Sequence, residues 1–134
     1  MEFDKVDVSV RKRQGDIGVA RAVYEYTKRG FTVLLPTSDS DKYDMVVDDG
    51  EKLQKVQVKT SRHKVRTCSY EVNLATKGGN TKVNTIRARD ESDYDWLFCL
   101  IETGECWSIP VAALNDAKHA IIVTAGKYAQ YKLL

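Results

Sequence analysis

The sequence is poor in the residues from which many sites are built. It has two histidines and two prolines in 134 residues. His63 reads as a surface residue and His119 has no evident partner, which leaves little for a histidine-centred metal or acid–base site. Three cysteines, Cys68, Cys99 and Cys106, stand without a Cys-x-x-Cys spacing. An odd count and that spacing argue against a zinc scaffold or a disulfide framework, and favour buried thiols in a reducing compartment. No apolar run approaches the ~20 residues that a membrane-spanning helix needs. The opening Met1-Glu2-Phe3-Asp4-Lys5 lacks the basic and apolar regions of a secretory signal, so a cytoplasmic location is expected. Repeats and low-complexity segments are also missing.

What is present describes a folded domain. The composition is 43% hydrophobic and 30% charged, within the globular range, and the length suits one domain over residues 1–134. The net charge of +2 conceals an uneven distribution. Residues 51–90 hold ten Lys/Arg against three Asp/Glu, and both flanks are acidic. A basic band of that kind suits a polyanionic partner.

Along the chain, Phe3, Val6 and Val8 alternate weakly, as an edge strand or a loose arm would. Arg11-Lys12-Arg13 is a compact basic flank that either faces solvent or grips phosphates. A helix is predicted from Gly15 to Arg29, with Asp16 at its start, a stripe of Ile17, Ala20, Tyr24 and Thr27, and Gly30 as its stop. Phe31 to Pro36 reads as a buried strand ended by proline. A polar loop follows, in which Ser38 and Ser40 either bind phosphate or serve turn chemistry. Further on, Cys68, Tyr70, Val72 and Leu74 share one face of a strand. Lys77 to Lys82 is a basic turn, and Arg87 and Arg89 lie in a segment without clear periodicity. Trp96 to Ile101 is apolar on both faces and suits a central strand. Pro110 opens a short helical turn through Leu114, His119 to Thr124 is strand-like, and Gly126 to Leu134 reads as a tail.

The stretch with most chemical content runs from Tyr43 to Ser61. Met45, Val46 and Val47 form a short buried run, Asp49-Gly50 signals a tight turn, and the next strand alternates. Val56 and Val58 point one way; Lys55, Gln57 and Lys59 point the other. If Asp44 heads the partner strand, a carboxylate, an amide oxygen and an ammonium converge on one spot. Burying unpaired charge costs about several kcal/mol per ion, so this set makes little sense for stability alone. It does suit a divalent cation held by oxygens, with a lysine beside the attacking water or phosphate.

Asp44, a turn, and then Gln57-Val58-Lys59 resemble the signature of the PD-(D/E)XK nuclease superfamily, in which an acid heads one strand and (Asp/Glu)-x-Lys follows on the next. Here Gln57 replaces the middle acid. Val56-Gln57-Val58-Lys59-Thr60 is similar to the variant in the group I intron-associated homing endonucleases. The segments Gly15-Asp16-Ile17-Gly18, Asp95-Trp96-Leu97-Phe98 and Ile109-Pro110-Val111 also resemble that family, so the likeness spans residues 14–114. Holliday junction resolvases share the core but usually carry Glu-x-Lys.

The resemblance implies a restriction-endonuclease-like α/β fold, a mixed β-sheet with the N-terminal helix packed on it. It implies a Mg²⁺- or Mn²⁺-dependent endonuclease acting on double-stranded DNA. Asp44, Gln57 and the Val58 carbonyl would hold the cation, and Lys59 would act on the attacking water or the transition state. The family has an acid directly after Gly18, where this chain has Val19. Asp16 either replaces it or only serves the start of the helix; Glu25 is a more distant candidate. Residues expected near DNA are Arg11, Lys12, Arg13, Ser38, Ser40, Thr60, Ser61, Arg62, Lys64, Arg66, Lys77, Lys82, Arg87 and Arg89. Cutting both strands with one centre per chain calls for a homodimer or homotetramer. Gln57 and Val19 also leave open a DNA-binding protein that kept the fold and lost the chemistry.

Overall fold

The computed structural model describes residues 9–39, 42–77 and 86–133. The expected arm around Phe3, Val6 and Val8, and the expected contacts of Ser40 and Lys82, lie outside these residues.

Helix α1 runs from Val10 to Lys28. The Ser9 hydroxyl accepts a hydrogen bond from the Lys12 amide at 3.2 Å, capping the helix. The start is therefore five residues earlier than the Gly15 expected from sequence. Arg11, Lys12, Arg13 and Gln14 are good helix formers and make the first turn. Asp16 is consequently not a cap. Gly30, at φ +92°, ends the helix as expected.

The buried face of α1 also differs from expectation. Gly18, Ala22, Glu25 and Tyr26 are buried, whereas Ile17 and Tyr24 are 54% and 58% exposed. The cause is close approach. A Cβ on Gly18 would lie 2.4 Å from Thr60 Cγ2 and 3.1 Å from Val58 Cγ1, so the helix rests on the sheet through its smallest residue. Tyr26 then reaches across to Ser108, with 2.7 Å between the hydroxyls. Burial alone would raise the Glu25 carboxyl, but Arg29, Arg21 and Lys28 together hold it below the usual range. Three cations, one turn before and one turn after, thus allow an acid on the buried face, and Glu25 serves the helix.

Strands β1 (Thr32–Leu34), β2 (Met45–Asp48) and β3 (Leu53–Ser61) form an antiparallel meander. The β2–β3 turn is built as its sequence suggests. Gly50 has φ +96°, and Asp49 accepts hydrogen bonds from the amides of Glu51 and Lys52 at 2.8 and 2.9 Å. Strand β1 lies at the sheet edge, with Leu34 43% and Leu35 59% exposed; it is not the buried strand expected from its apolar run. Strands β4 (Lys64–Arg66), β5 (Ser69–Asn73), β6 (Thr76–Lys77) and β7 (Ile86–Arg87) follow.

Strand β8 (Trp96–Ile101) pairs in parallel with β3 and antiparallel with β9 (Cys106–Pro110). Asp95 ties the parallel pair at its start: its carboxylate accepts from the Lys55 amide at 2.8 Å, and its own amide donates to the Lys55 carbonyl at 2.9 Å. After α2 (Val111–Leu114), β10 (Ala120–Ile122) pairs with β5. A 3₁₀ turn over Gly126–Tyr131 leads to β11 (Lys132–Leu133), which pairs with β9. The expected tail is therefore the last edge of the main sheet, with Tyr128 buried beneath it.

The main sheet has the order β1-β2-β3-β8-β9-β11, and a second sheet has the order β10-β5-β4. Two cores cover the two faces of the main sheet. Ala22 and Tyr26 of α1 pack on Met45, Val47, Val56, Val58, Phe98 and Leu100. On the other face Leu97, Cys99 and Ile109 pack with Tyr70, Val72 and Ile121 of the second sheet and with Leu74 just after β5. Strand β8 feeds both, as its continuous apolar run requires. Cys99 and Cys106 are buried as expected, but Cys68 is exposed because β5 begins one residue after it. No described helix is long and apolar enough to cross a membrane.

Candidate active site

The β2–β3 register is Met45 opposite Val56, which puts Asp44 at the head of β2, level with Gln57. Two hydrogen bonds fix it there. Its amide donates to the Val56 carbonyl at 2.8 Å, and its Oδ2 accepts from the Val58 amide at 2.7 Å. The alternation of β3 holds. Val56 and Val58 enter the core under α1, so Gln57 and Lys59 occupy the opposite face.

Gln57 is 8% exposed. Its Nε2 donates weakly to the Val58 carbonyl at 3.4 Å, and its Oε1 is buried with no hydrogen-bond partner among the described residues. An unpaired buried oxygen costs about 1–3 kcal/mol. Asp44 and Lys59 are shifted toward each other. Burial raises the Asp44 carboxyl, and Asp39 adds to the rise, while the Val58 amide and the Lys59 charge oppose it. Burial lowers the Lys59 ammonium and Asp44 opposes that. The register, with Met45 and Val56 both in the core under α1, puts Asp44, Gln57 and Lys59 on the same side of the sheet.

Two adjoining hollows reach the site, one bordered by Lys59 and the other by Asp44. A groove of about 630 Å³ is lined by Arg11, Gln14, Lys59, Thr60, Arg62 and Asn73, among others. A depression of about 460 Å³ is lined by Asp16, Val19, Ser38, Asp39, Tyr43 and Asp44, among others. Gly15 and Val58 line both. Val19 is thus in the wall beside Asp44. Asp16 is at the same wall but well exposed, paired with Lys12 at 3.3 Å.

The helical start separates the basic triplet: Arg11 faces the groove, Lys12 pairs with Asp16, and Arg13 lines a neighbouring hollow with Thr60, Ser61 and Arg62. Arg62 also approaches Glu102 at 3.8 Å in an exposed pair. Lys64 and Arg66 are exposed on β4, and the backbone of Lys77 and Arg87 forms the small β6–β7 ladder.

Two residues expected at DNA serve the fold instead. Ser61 is buried; its hydroxyl donates to the Glu71 carbonyl and accepts from the His63 amide at 3.1 Å. Arg89 is also buried, donating to the carbonyls of Ala117 and Asn115 at 3.0 and 3.1 Å. It pins the turn after α2. A lone arginine in a basic segment gives no sequence signal for that role. Gln14, Gly15, Asp39 and Asn73 were not anticipated at the hollows. Asp39 was legible only as a loop acid, and Gln14 only once the helix start is moved to Val10.

The donor set here is rich in oxygen. Among the described residues no three His, Cys, Asp or Glu side chains converge to hold a metal, so any cation would rely on at most two carboxylates with neutral oxygens. The orphaned Gln57 oxygen and the adjacent Asp44 carboxylate fit a hard divalent cation.

A helix packed on a mixed sheet, with an acid heading one strand and Gln-x-Lys on the next, defines the restriction-endonuclease-like class of nuclease. A sequence model of the PD-(D/E)XK endonuclease family matches residues 10–132, and the chain belongs to that family. Its structure is similar to that of I-Ssp6803I, a bacterial homing endonuclease, with a TM-score of 0.78 and 25% sequence identity over 92% of this chain and 89% of that one. No curated protein sequence matches the chain.

Proposed function

We propose that the chain is a divalent-metal-dependent DNA endonuclease of the homing type, with Mg²⁺ or Mn²⁺ as its cofactor and a homodimer or homotetramer as its working form. Residues 1–134 form one nuclease domain in this reading, with the cytoplasm as its compartment. The reading is carried by the buried Gln57 Oε1 that lacks a partner among the described residues, on the same face of the sheet as Asp44 and Lys59. The homing activity of the structural neighbour supports the substrate class.

Asp44, Gln57 and the Val58 carbonyl would hold the cation. A divalent cation there would supply Lewis acidity toward the scissile phosphate and the attacking water. Asp44 stays fixed on the Val58 amide and presents the remainder of its carboxylate to the site. Lys59, kept below the usual lysine range by burial, accepts a proton from the attacking water or steadies charge on the phosphate. Arg11 and Arg62 line the groove and hold flanking phosphates. Asp16 lies at the same wall as Asp44 and would act through water, in place of the acid missing at Val19.

A second reading has its own support. With Val19 in the wall and a neutral Gln57, the site holds less negative charge than an acid-x-lysine site. A DNA-binding protein without catalysis fits that too. Titrating Mg²⁺ or Mn²⁺ into the protein with supercoiled plasmid separates the two. Metal-dependent nicking is expected; binding without nicking at any metal concentration favours the non-catalytic reading. Faster cutting of a four-way junction than of a linear duplex would indicate a junction resolvase.

A further inference from the structure

We infer that Gly15 is where the sugar–phosphate backbone of the substrate passes closest to α1, and that this position requires the lack of a side chain. The inference rests on the nuclease reading above and adds a contact residue to it.

Gly15 is an exposed residue inside a 19-residue helix, where glycine is a poor choice. Its backbone does not demand it, since the positive-φ glycines are Gly30, Gly50 and Gly104. Packing does not demand it either. A Cβ at Gly15 would find no described atom within 4 Å, whereas one at Gly18 would strike Thr60. The two glycines are three residues apart and differ in kind: Gly18 is filled against the sheet, and Gly15 opens on empty space.

That space is the candidate site. Besides Val58, Gly15 alone borders both the groove of Lys59 and the depression of Asp44. One helical turn before it, on the same face, Arg11 lines the groove. One turn after it, Val19 lines the depression. The face reads as a cation, a bare stretch of backbone, and a short apolar side chain. A polyanionic strand drawn along it meets Arg11 and then lies over Gly15 to bring a phosphate between Asp44 and Lys59. Close approach of backbone to ligand is a position where glycine is the default.

The test uses the full chain with Gly15→Ala, Gly15→Leu and the control Ala20→Leu, whose exposed site lies outside both hollows. Melting temperature, DNA affinity by fluorescence anisotropy with Ca²⁺ in place of Mg²⁺, and single-turnover cleavage are measured. Both Gly15 variants should melt about 3 °C higher, because the helix is better formed. Affinity should fall with side-chain size, by roughly tenfold for Gly15→Leu, and Ala20→Leu should bind as the parent does. A Gly15→Leu variant that binds and cuts like the parent overturns the inference and leaves the nuclease reading standing. Lower melting temperatures for both Gly15 variants also overturn it, by showing a folding role. A parent protein that neither binds nor cuts DNA removes the nuclease reading, and this inference with it.

Discussion

Asp44 and Lys59 are both half-buried, at a cost to their charged forms. The carboxyl is raised chiefly by burial, so its folded pKa exceeds its unfolded one. Such a group adds stability below the unfolded pKa and loses it as pH rises through the folded value. Asp44→Asn keeps an oxygen to accept the Val58 amide and removes the buried charge. It should therefore melt higher than the parent at pH 7, with the difference closing below the ordinary carboxylate value of 3.8. The same change removes the charge that supports the Lys59 ammonium, so Lys59 should titrate at still lower pH, observable by NMR of its Nζ. Equal melting temperatures at pH 7 and an unmoved Lys59 would show that the two groups do not interact.

At the scale of elements, the β2–β3 hairpin was legible and the helix face was not. Alternation at Val56 and Val58 against Gln57 and Lys59 is a period-two signal, and the Asp49-Gly50 turn fixes its register. The helix misled because its docking is governed by a glycine, which carries no hydrophobic signal, and by Glu25, a charged residue on the buried face that is neutralised from within the helix. Ile17 and Tyr24 look like core and are not. The start of α1 was misplaced because Ser9 is an inconspicuous cap, whereas Asp16 is a conspicuous one. Gly18 tests this account. Gly18→Ala improves helix propensity but pushes a methyl onto Thr60, and overpacking costs about 1–3 kcal/mol. Chemical denaturation should show a net loss of stability, and a neutral or stabilising effect would mean that α1 docks more loosely than described.

Across the whole molecule, the sheet divides labour between its faces: one carries α1, and the other carries the second sheet with Gln57 and Lys59 at its margin. The apolar run at Trp96–Ile101 announced a central strand. The closure of the sheet by β11 was hidden, because two residues after a 3₁₀ turn make no periodic pattern. The charge imbalance could be read directly, but its use could not: Arg89, in the basic band, supports a turn, while Arg11, outside it, faces the groove. If Arg11 and Arg62 contact phosphates, binding should weaken steeply with salt as counterions are released. Affinity unchanged between about 50 and 200 mM salt would remove the groove as the contact surface.

The most direct measurement is single-turnover cleavage of supercoiled DNA by the parent, Asp44→Ala and Lys59→Ala, with Mg²⁺ or Mn²⁺, after circular dichroism has shown all three folded. Cleavage by the parent and none by either variant is the predicted result. Cleavage at the parent's rate in both variants would place the chemistry somewhere other than between these two strands.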